Sequence, residues 1–481
     1  MTIAKVMFDH VLCVYPYRCD VKNASFLPPL GIELIAAAIE PYAAHIDIVD
    51  LRHESGRTRD FMRADTGLVC FSVNWDAQPD FVRDEILSVG ASATVVVGGR
   101  HATHDPDLWL RQCPNVDMVI RGDGEEAVGD FCSGLPIDCI AGVSYRQDGR
   151  IVHKPSRDLG LVSDTIYPNR TRRRYKYEFT LGKFRTHVGL DLLAGSRGCP
   201  FKCKFCNFSN NPFGQKRPWS ARSPESVVEE LEKIEAPIVG FTDDLFTHDV
   251  ERVARICDLI VERGIRKKMI VNARVEIARR PDVIRKMEKA GFFVLMLGIE
   301  SACDKTLKSM GKGFDTARLR EYFEVLRKSS MMLHGYFIVG NIGEGVEEIL
   351  RIAGFAHELG LDTIGLSTLR MVPHSGLEEL IASNPGYHIA PNGKVYSDEC
   401  SVRTIRQIRR RVNKEFYSTG HMLRLGRKAF RHVPARLLPH LLVRLPRLGL
   451  QMTALAKRHN KKHSKSDNSR GNLVAMEETL V

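Results

Sequence analysis

Short runs of apolar, mostly β-branched residues alternate along this chain with stretches that have the apolar period of a helix. Over the first 150 residues these runs are HVLCV, HIDIVDL, GLVCFSV, ATVVVGG and VDMVIRG, and PLGIELIAAAIE follows the first of them. Strands that are apolar along their whole length are buried on both faces, as in a parallel sheet covered by helices. We therefore predict an N-terminal doubly wound, Rossmann-like α/β domain over residues 1–153, closed by a hairpin at Asp148-Gly149.

A second series of the same kind begins near residue 188. Its strand candidates are VGLDLLAG, PIVGFTDD, KMIVNARVE, FFVLMLGIES, LHGYFIVGN and DTIGLSTLRMV, with amphipathic stretches between them. Six such units predict a partial (β/α)6 barrel over residues 188–375, and the polar, basic stretch before it predicts a linker over 154–187. Barrels of parallel strands place their sites at the carboxyl ends of the strands.

The charge of the chain is concentrated at its C-terminal end. The last 81 residues hold 19 Lys and Arg against 4 Asp and Glu, a balance of +15, whereas the whole chain has +12. The first 400 residues are therefore close to neutral, and we predict a basic helical region over 376–459 followed by a disordered tail over 460–481. No apolar run approaches the ~18 residues of a membrane span, and the N-terminus is a poor signal peptide, so we expect a cytoplasmic protein.

Three cysteines lie within eight positions, at Cys199, Cys203 and Cys206, in the loop after the first barrel strand. A structural zinc site usually closes with four ligands, and there is no second cysteine pair nearby. An iron–sulfur cluster also normally takes four cysteines. Three thiolates on a four-iron cluster leave one iron open, and an open position on a metal is where chemistry can occur.

The string CPFKCKFC matches the C-x3-C-x2-C motif of the radical SAM superfamily, with Phe205 as the usual aromatic residue before the last cysteine. The resemblance implies a [4Fe-4S] cluster on the three cysteines and S-adenosylmethionine chelated to the open iron. It also implies reductive cleavage to a 5′-deoxyadenosyl radical, with the electron supplied by a flavodoxin- or ferredoxin-type donor.

Polar residues follow several further barrel strands, in FTDDLF, NARVE and GIES. Together they build one polar pocket on the cysteine-bearing face, although each one alone could be a helix cap or a surface turn. They match patterns of the same superfamily. The resemblance implies that Asp243 and Asp244 lie where the methionyl amine is held, and that Arg274, Glu300 and Ser301 line the pocket for S-adenosylmethionine.

The first domain resembles the cobalamin-binding domain that precedes the barrel in many radical SAM enzymes. The matching segments are LPPLGIELIAAAIE, VGGRHAT and VIRGDGEEAV, and with the barrel the resemblance covers roughly residues 4–375. The chain lacks the Asp-x-His-x-x-Gly motif that ligates cobalt from below, which leaves the ligation mode open. A flavodoxin-like nucleotide-binding domain is the alternative. The expected cobalamin contacts are Ser72, Gly98, Gly99, Gly122, Gly124 and Glu125.

With both cofactors the resemblance implies a methyltransferase that acts on an unactivated carbon of a small molecule, lipid or natural product. A cyclase or ring-rearranging enzyme with the same cofactors is the alternative. A cobalamin or iron–sulfur sensor is a third hypothesis, and the polar residues at four strand ends argue against it.

Leucines and arginines alternate over residues 421–459, and Pro434, Pro439 and Pro446 divide this stretch into short helices. The composition suits peripheral contact with an anionic membrane at its inner face, and with it an apolar substrate such as a hopanoid or another isoprenoid. A helical cap on the barrel is the alternative. The stretch is almost without aromatic residues, so nucleic acid is not expected as a partner.

Overall fold

The computed structural model describes residues 7–18, 26–157, 162–181, 184–210 and 213–430. The chain divides into two compact units, Met1–Ser418 and Thr419–Val481. The first unit contains two seven-stranded sheets, each with its own apolar core. The predicted α/β fold class is confirmed.

The first sheet has the strand order β2-β1-β3-β4-β5-β6-β7, and β1 to β5 are parallel. Its strands are β1 (Phe8–Tyr15), β2 (Ala43–Asp50), β3 (Thr66–Ser72), β4 (Thr94–Gly98), β5 (Met118–Ile120), β6 (Val143–Gln147) and β7 (Arg150–His153). Its helices are α1 (Leu30–Ile39), α2 (Pro79–Leu87), α3 (Arg100–His104), α4 (Pro106–Gln112) and α5 (Glu125–Cys132). The strand order reverses between β1 and β3, and a doubly wound sheet offers its ligand crevice at such a point.

The antiparallel hairpin of β6 and β7 turns at Asp148-Gly149, as predicted. Both residues have positive φ, 50° and 72°, which the twist of a two-residue hairpin requires. Glycine accepts this conformation without strain, and aspartate is among the few other residues that tolerate it.

The second sheet is open and curled, with the order β16-β15-β14-β13-β12-β9-β8. Its strands are β8 (Glu178–Leu181), β9 (Phe184–Leu193), β12 (Ile238–Phe241), β13 (Lys268–Ala273), β14 (Phe292–Glu300), β15 (Met332–Val339) and β16 (Thr363–Thr368), and the short pair β10 (Ser196–Arg197) and β11 (Ser220–Ala221) lies outside it. All neighbours are parallel except β8, which is antiparallel to β9. This is the expected six-unit half-barrel with one added edge strand.

The helices of this part begin where capping side chains stand. Ser223, Asp249 and Asp315 each accept a hydrogen bond from the backbone N–H three residues later, as N-caps do. The helices are α6 (Pro224–Lys233), α7 (Val250–Glu262), α8 (Pro281–Ala290), α9 (Asp304–Ser309), α10 (Thr316–Leu326) and α11 (Val346–Glu358). Their buried apolar residues form one core with those of the sheet.

The segment predicted as a linker differs from that prediction. Strand β8 and the start of β9 lie inside 154–187, and Arg173 from the same segment makes ion pairs with two carboxylates, one on a helix of the first domain and one on a strand of the half-barrel. One is Glu33 of α1, with both Arg173–Glu33 contacts at 2.6 Å, and the other is Asp191 of β9 at 2.7 Å. The polar, basic composition of this segment suggested a solvated linker. The charge of Arg173 is instead paired with carboxylates, which the composition alone does not indicate.

The region after the half-barrel was predicted to be helical. The structure describes it to residue 430 and finds α12 (Leu377–Ala382), α13 (Val402–Phe416) and α14 (Thr419–Phe430), together with a hairpin of β17 (Tyr387–Ile389) and β18 (Val395–Ser397). The rest of the predicted region and the predicted disordered tail, 431–481, lie outside the described residues. The exact domain boundaries remain predictions.

Candidate functional site

The three cysteines lie in one loop that leaves the half-barrel after β9. Strands β10 and β11 pair antiparallel at the base of this loop, so that its two ends are held side by side. All three cysteines are half-buried and line a single cavity of about 340 Å3, together with residues 374–376 that follow β16. We call residues 198–219 the cysteine loop.

Three cysteine thiols in one loop form a donor set that suits an iron–sulfur cluster. Among the described residues, no group of three or more His, Cys, Asp or Glu side chains is arranged to hold one metal ion. In a [4Fe-4S] cluster each cysteine binds a different iron, so the sulfurs surround a cage rather than a point. Burial raises the pKa of the Cys199 thiol and raises that of Cys206 to about 12, so a metal that binds these thiols has to displace their protons.

Asp243 and Asp244 follow β12, and they hold the segment that leads into the cysteine loop and the first residue of that loop. Asp243 is fully buried and accepts hydrogen bonds from the N–H of Gly195, at 2.8 Å, and from the hydroxyl of Ser196. Asp244 accepts from the N–H of Gly198, also at 2.8 Å, directly before Cys199. In this geometry both carboxylates support the loop, and a direct contact of either with S-adenosylmethionine stays a prediction.

Two cations lie beside the cysteines. Arg274, after β13, has its guanidinium 3.7 Å from the ring centre of Phe201 and a nitrogen 4.0 Å from the sulfur of Cys203. The ammonium of Lys312 is 5.8 Å from the ring centre of Phe205 and 3.2 Å from a carboxylate oxygen of Glu300. The predicted residues Phe205, Arg274 and Glu300 therefore meet at one edge of the loop, where Arg274 is paired with Glu276 at 2.7 Å and Lys312 is paired with Glu300.

Glu300 adopts a left-handed backbone conformation, with φ of 76°. A side chain other than glycine is strained there, which is a recurrent property of residues at functional sites. A Cβ on Gly298 would stand 2.5 Å from the Glu300 carboxylate, so glycine two positions earlier leaves the space that this carboxylate occupies.

The last predicted residue of this set, Ser301, is fully buried and donates its hydroxyl to Glu344 at 3.1 Å. The other oxygen of Glu344 accepts from the backbone N–H groups of Gly340 and Asn341, at 3.0 and 3.1 Å. Glu344 thereby ties the carboxyl ends of β14 and β15 together. Burial raises the pKa of Glu344 to about 7, against the hydrogen bonds that favour its charged form.

Glu344 makes the stability of the half-barrel depend on pH. Because its pKa is raised in the folded state, the folded protein binds more protons than the unfolded chain between pH 4.5 and about 7. The free energy of unfolding therefore falls as the pH rises through this window. We expect Glu344→Gln, which resembles the protonated acid, to flatten the fall. Denaturant melts of both proteins at pH 5, 6, 7 and 8 measure it, and parallel curves would contradict the assignment.

A second cleft lies at the carboxyl edge of the first sheet. All six residues predicted as cobalamin contacts line it: Ser72, Gly98, Gly99, Gly122, Gly124 and Glu125. Gly31 and Ile32 of α1 form another wall. Nothing stands within 4 Å of the position a Cβ would take on Gly31, and nothing within 3.8 Å of that position on Gly98. Bare backbone thus faces open space, which suits a large flat ligand such as a corrin ring.

Some residues of these sites escaped the sequence reasoning. Arg197, two positions before Cys199, lines the cleft of the first sheet, as does Asn74. Lys312 and His374 reach the cysteine loop from segments after β14 and β16. Only Arg197 carried a sequence signal, its closeness to the cysteines, because the others are brought in by tertiary contacts.

Comparison with family models identifies two matches. Residues 193–356 match the model of the radical SAM superfamily, and residues 21–131 match the model of the B12 binding domain. The first match runs from the end of β9 into α11 and includes the cysteine loop, and the second includes the residues of the first sheet and its helices that line the cleft. The assignment of the two sites to these families, made from motifs, is confirmed.

Curated relatives extend over most of the chain. An uncharacterized methyltransferase of Pyrococcus horikoshii is 28% identical over 74% of this chain and 79% of its own length. The hopanoid C-3 methylase of Methylococcus capsulatus is 27% identical over 67% of this chain and 68% of its own. The anaerobic magnesium-protoporphyrin IX monomethyl ester cyclase of Cereibacter sphaeroides is 29% identical, over 57% and 47%.

A solved structure supports the fold. The radical S-adenosylmethionine methyltransferase TsrM of Kitasatospora setae, with cobalamin and a [4Fe-4S] cluster bound, superposes with a TM-score of 0.64. The match covers 86% of this chain and 82% of that protein at 16% identity. At that identity it is the arrangement of two sheets that is shared.

Proposed function

Since residues 193–356 match the radical SAM superfamily and residues 21–131 match the B12 binding domain, we propose that this chain is a cobalamin-dependent methyltransferase acting on an unactivated carbon of a small-molecule or lipid substrate. The observation that carries the proposal is the adjacency of the two sites. Arg197 opens the segment that bears the cysteines and also lines the cleft of the first sheet. A radical made at one site and a methyl donor held at the other can therefore serve one substrate.

When bound, the cluster with S-adenosylmethionine supplies a 5′-deoxyadenosyl radical, and cobalamin supplies the methyl group. The chain's own part is to bind, orient and shield. Asp243 and Asp244 fix the backbone on which the cysteines stand. Arg274 and Lys312 lie next to the cysteines, paired with Glu276 and Glu300, and either cation would have to exchange that partner to bind the carboxylate of S-adenosylmethionine.

The inner face of the half-barrel provides a wall for the substrate. Tyr336 on β15 points away from the apolar core, is 38% exposed and donates its hydroxyl to the sulfur of Met296 at 3.4 Å. The neighbouring His334 shares a hydrogen bond with Thr363, and burial lowers its pKa to about 4, so the imidazole is neutral. A phenol, a thioether and a neutral imidazole suit a substrate whose body is uncharged and largely apolar.

The proposal is tested on protein reconstituted anaerobically with iron and sulfide, loaded with hydroxocobalamin and desalted. With S-adenosylmethionine, a reductant in place of the natural flavodoxin- or ferredoxin-type donor, and a screen of apolar candidate acceptors, we expect 5′-deoxyadenosine and S-adenosylhomocysteine together with a methylated product. Cleavage of S-adenosylmethionine without retained cobalt would overturn the cobalamin-dependent mechanism.

Ring closure without methyl transfer is the second candidate, because a relative is named as a magnesium-protoporphyrin monomethyl ester cyclase. The two activities differ in one product. A methyltransferase forms S-adenosylhomocysteine when it recharges its methyl donor, whereas a cyclase forms none. A converted substrate of unchanged carbon count, with 5′-deoxyadenosine as the nucleoside product, would therefore decide for the cyclase.

We also propose that the enzyme works in the cytoplasm and that its basic C-terminal stretch contacts anionic membrane. Among the described residues, no helix has the length and apolarity to span a membrane. The composition of 421–459, most of which lies outside the described residues, is what supports the membrane contact.

The contact with membrane predicts that the full chain floats with vesicles rich in anionic lipid, and less at high salt because surface attraction is screened. A chain ending at Ser418, which retains the whole first compact unit, should stay in the soluble fraction. Equal partitioning of the two chains in a flotation assay would contradict the contact.

A further inference from the structure

The cysteine loop is anchored to the rim of the cobalamin cleft on both sides of the cysteines. Before them, Arg197 makes ion pairs with Asp123, at 3.3 Å, and with Glu125. After them, Arg217 makes a two-pronged contact with Asp123. Asp123 therefore receives one arginine from each end of the loop, and it stands between Gly122 and Gly124 at the cleft.

Ring and polar contacts add to this anchor. Phe213 of the loop lies under the guanidinium of Arg121, 5.2 Å from ring centre to carbon, and is the nearest neighbour of the position a Cβ would take on Gly122, at 3.8 Å. On the other side of the cleft, Arg100 of α3 reaches Asn207, one residue after the last cysteine, at 3.5 Å. The loop thus touches the segments after both β4 and β5.

Three of the four anchoring side chains are largely enclosed, and the fourth is partly exposed. Arg217, Glu125 and Arg197 are 13%, 14% and 24% exposed, whereas Asp123 is 41% exposed, so the Arg197–Glu125 pair is the best shielded from solvent and salt. Removing one of these charges leaves the charges of its partners without full compensation. We therefore expect the ion pairs to hold the cysteine loop firmly against the cleft.

We propose that Asp123, Arg197, Arg217 and Glu125 couple the two cofactor sites, so that assembly of the cluster in the cysteine loop strengthens binding of cobalamin in the adjacent cleft, and the reverse. The proposal rests on the proposed function. Cluster assembly fixes the three cysteines, and the same loop is tied at both ends to the cleft's rim. Once one cofactor has ordered the loop, the second cofactor binds without that entropic cost. The resulting coupling free energy is the same whichever cofactor binds first. The four side chains are positioning residues.

The coupling is measured as a ratio of dissociation constants. Hydroxocobalamin is titrated by absorbance into the full chain with its cluster reconstituted and into the same chain after iron is removed by chelation. We expect binding to the cluster-loaded protein to be about tenfold tighter, within the usual range of allosteric coupling. In Asp123→Asn, which keeps the shape but removes the shared charge, we expect the two constants to differ by less than about twofold.

Glu126→Gln is the matched control. Glu126 is the next residue along α5 and pairs with Arg157 rather than with an arginine beside the cysteines, so the wild-type ratio should persist. Arg197→Lys is the second variant, used if Asp123→Asn fails to fold. It keeps the positive charge but loses the forked guanidinium, so its ratio of dissociation constants should fall between those of the wild type and Asp123→Asn. A merely structural role would weaken both constants alike and leave the ratio unchanged.

The outcomes separate the two proposals. The coupling would be overturned if a folded Asp123 or Arg197 variant had the same ratio of dissociation constants as the wild type, whether that ratio is near one or near ten. The methyltransferase proposal would then remain intact. Failure of hydroxocobalamin to bind to any form of the protein would overturn the proposed function, and the coupling with it.

Discussion

Replacing Cys203 with serine should leave the reconstituted protein without a complete cluster and without S-adenosylmethionine cleavage. Cys203 lies in the middle of the triplet, lines the shared cavity and has a nitrogen of Arg274 at 4.0 Å from its sulfur. A serine hydroxyl is a far poorer ligand for iron than a thiolate. We expect iron well below the about four per chain of an intact cluster, and 5′-deoxyadenosine at the level of iron-free protein.

The matched control is Cys139→Ser, because Cys139 is exposed and lies in the first domain, outside both sites. It should keep wild-type iron content and wild-type 5′-deoxyadenosine formation. Iron content, the absorption band of the cluster and the nucleoside product are measured on the same preparations. If Cys203→Ser retained a full cluster and cleaved S-adenosylmethionine, the three-cysteine site would be wrong.

The second large effect is expected at Gly99, in the cleft of the first sheet. Its backbone has φ of 102° and ψ of 175°, a region open essentially to glycine alone. A Cβ would also stand 2.7 Å from the carbonyl oxygen of Val73 and 2.8 Å from the side-chain oxygen of Asn74. We expect Gly99→Ala to strain the end of β4 by about 1–3 kcal/mol and to weaken hydroxocobalamin binding at least tenfold.

Gly129→Ala is the control for this change. Gly129 lies within α5, and nothing stands within 4 Å of its Cβ position, so alanine should raise helix stability slightly and leave hydroxocobalamin binding unchanged. Absorbance titration and thermal melts distinguish the effects. Wild-type affinity in a folded Gly99→Ala protein would show that this turn does not shape the cobalamin site.

The sequence was most informative where function depends on local spacing. The cysteine triplet and the glycines at the ends of β4 and β5 could be assigned from the chain alone, because parallel strands bring their carboxyl ends to one edge. Each of the six predicted cleft residues does line the cleft.

The orientation of side chains and the ion pairs between distant residues could not be predicted from the sequence. The hydrogen bonds of Asp243 to Gly195 and Ser196 could not be read from the sequence, because they depend on how β12 meets the segment before the cysteines, and its predicted contact with S-adenosylmethionine stays a prediction. Lys312 looks like any surface lysine in the sequence, yet its ammonium is buried against Glu300. Such residues are identified by tertiary packing rather than by spacing.

The ion pairs of Arg173 matter for any attempt to produce the first domain alone or to join it to another protein. The fully buried carboxylate of Glu33 has its described ion-pair partner in Arg173, which lies beyond the last strand of that domain. Cutting the chain after β7 would leave a charge in the interior without compensation, at a cost typical of breaking a buried pair, about 3–5 kcal/mol. A separately produced first domain should therefore extend to about Tyr177, whose hydroxyl donates to Asp50 of β2. The alternative is to replace Glu33 with an uncharged residue.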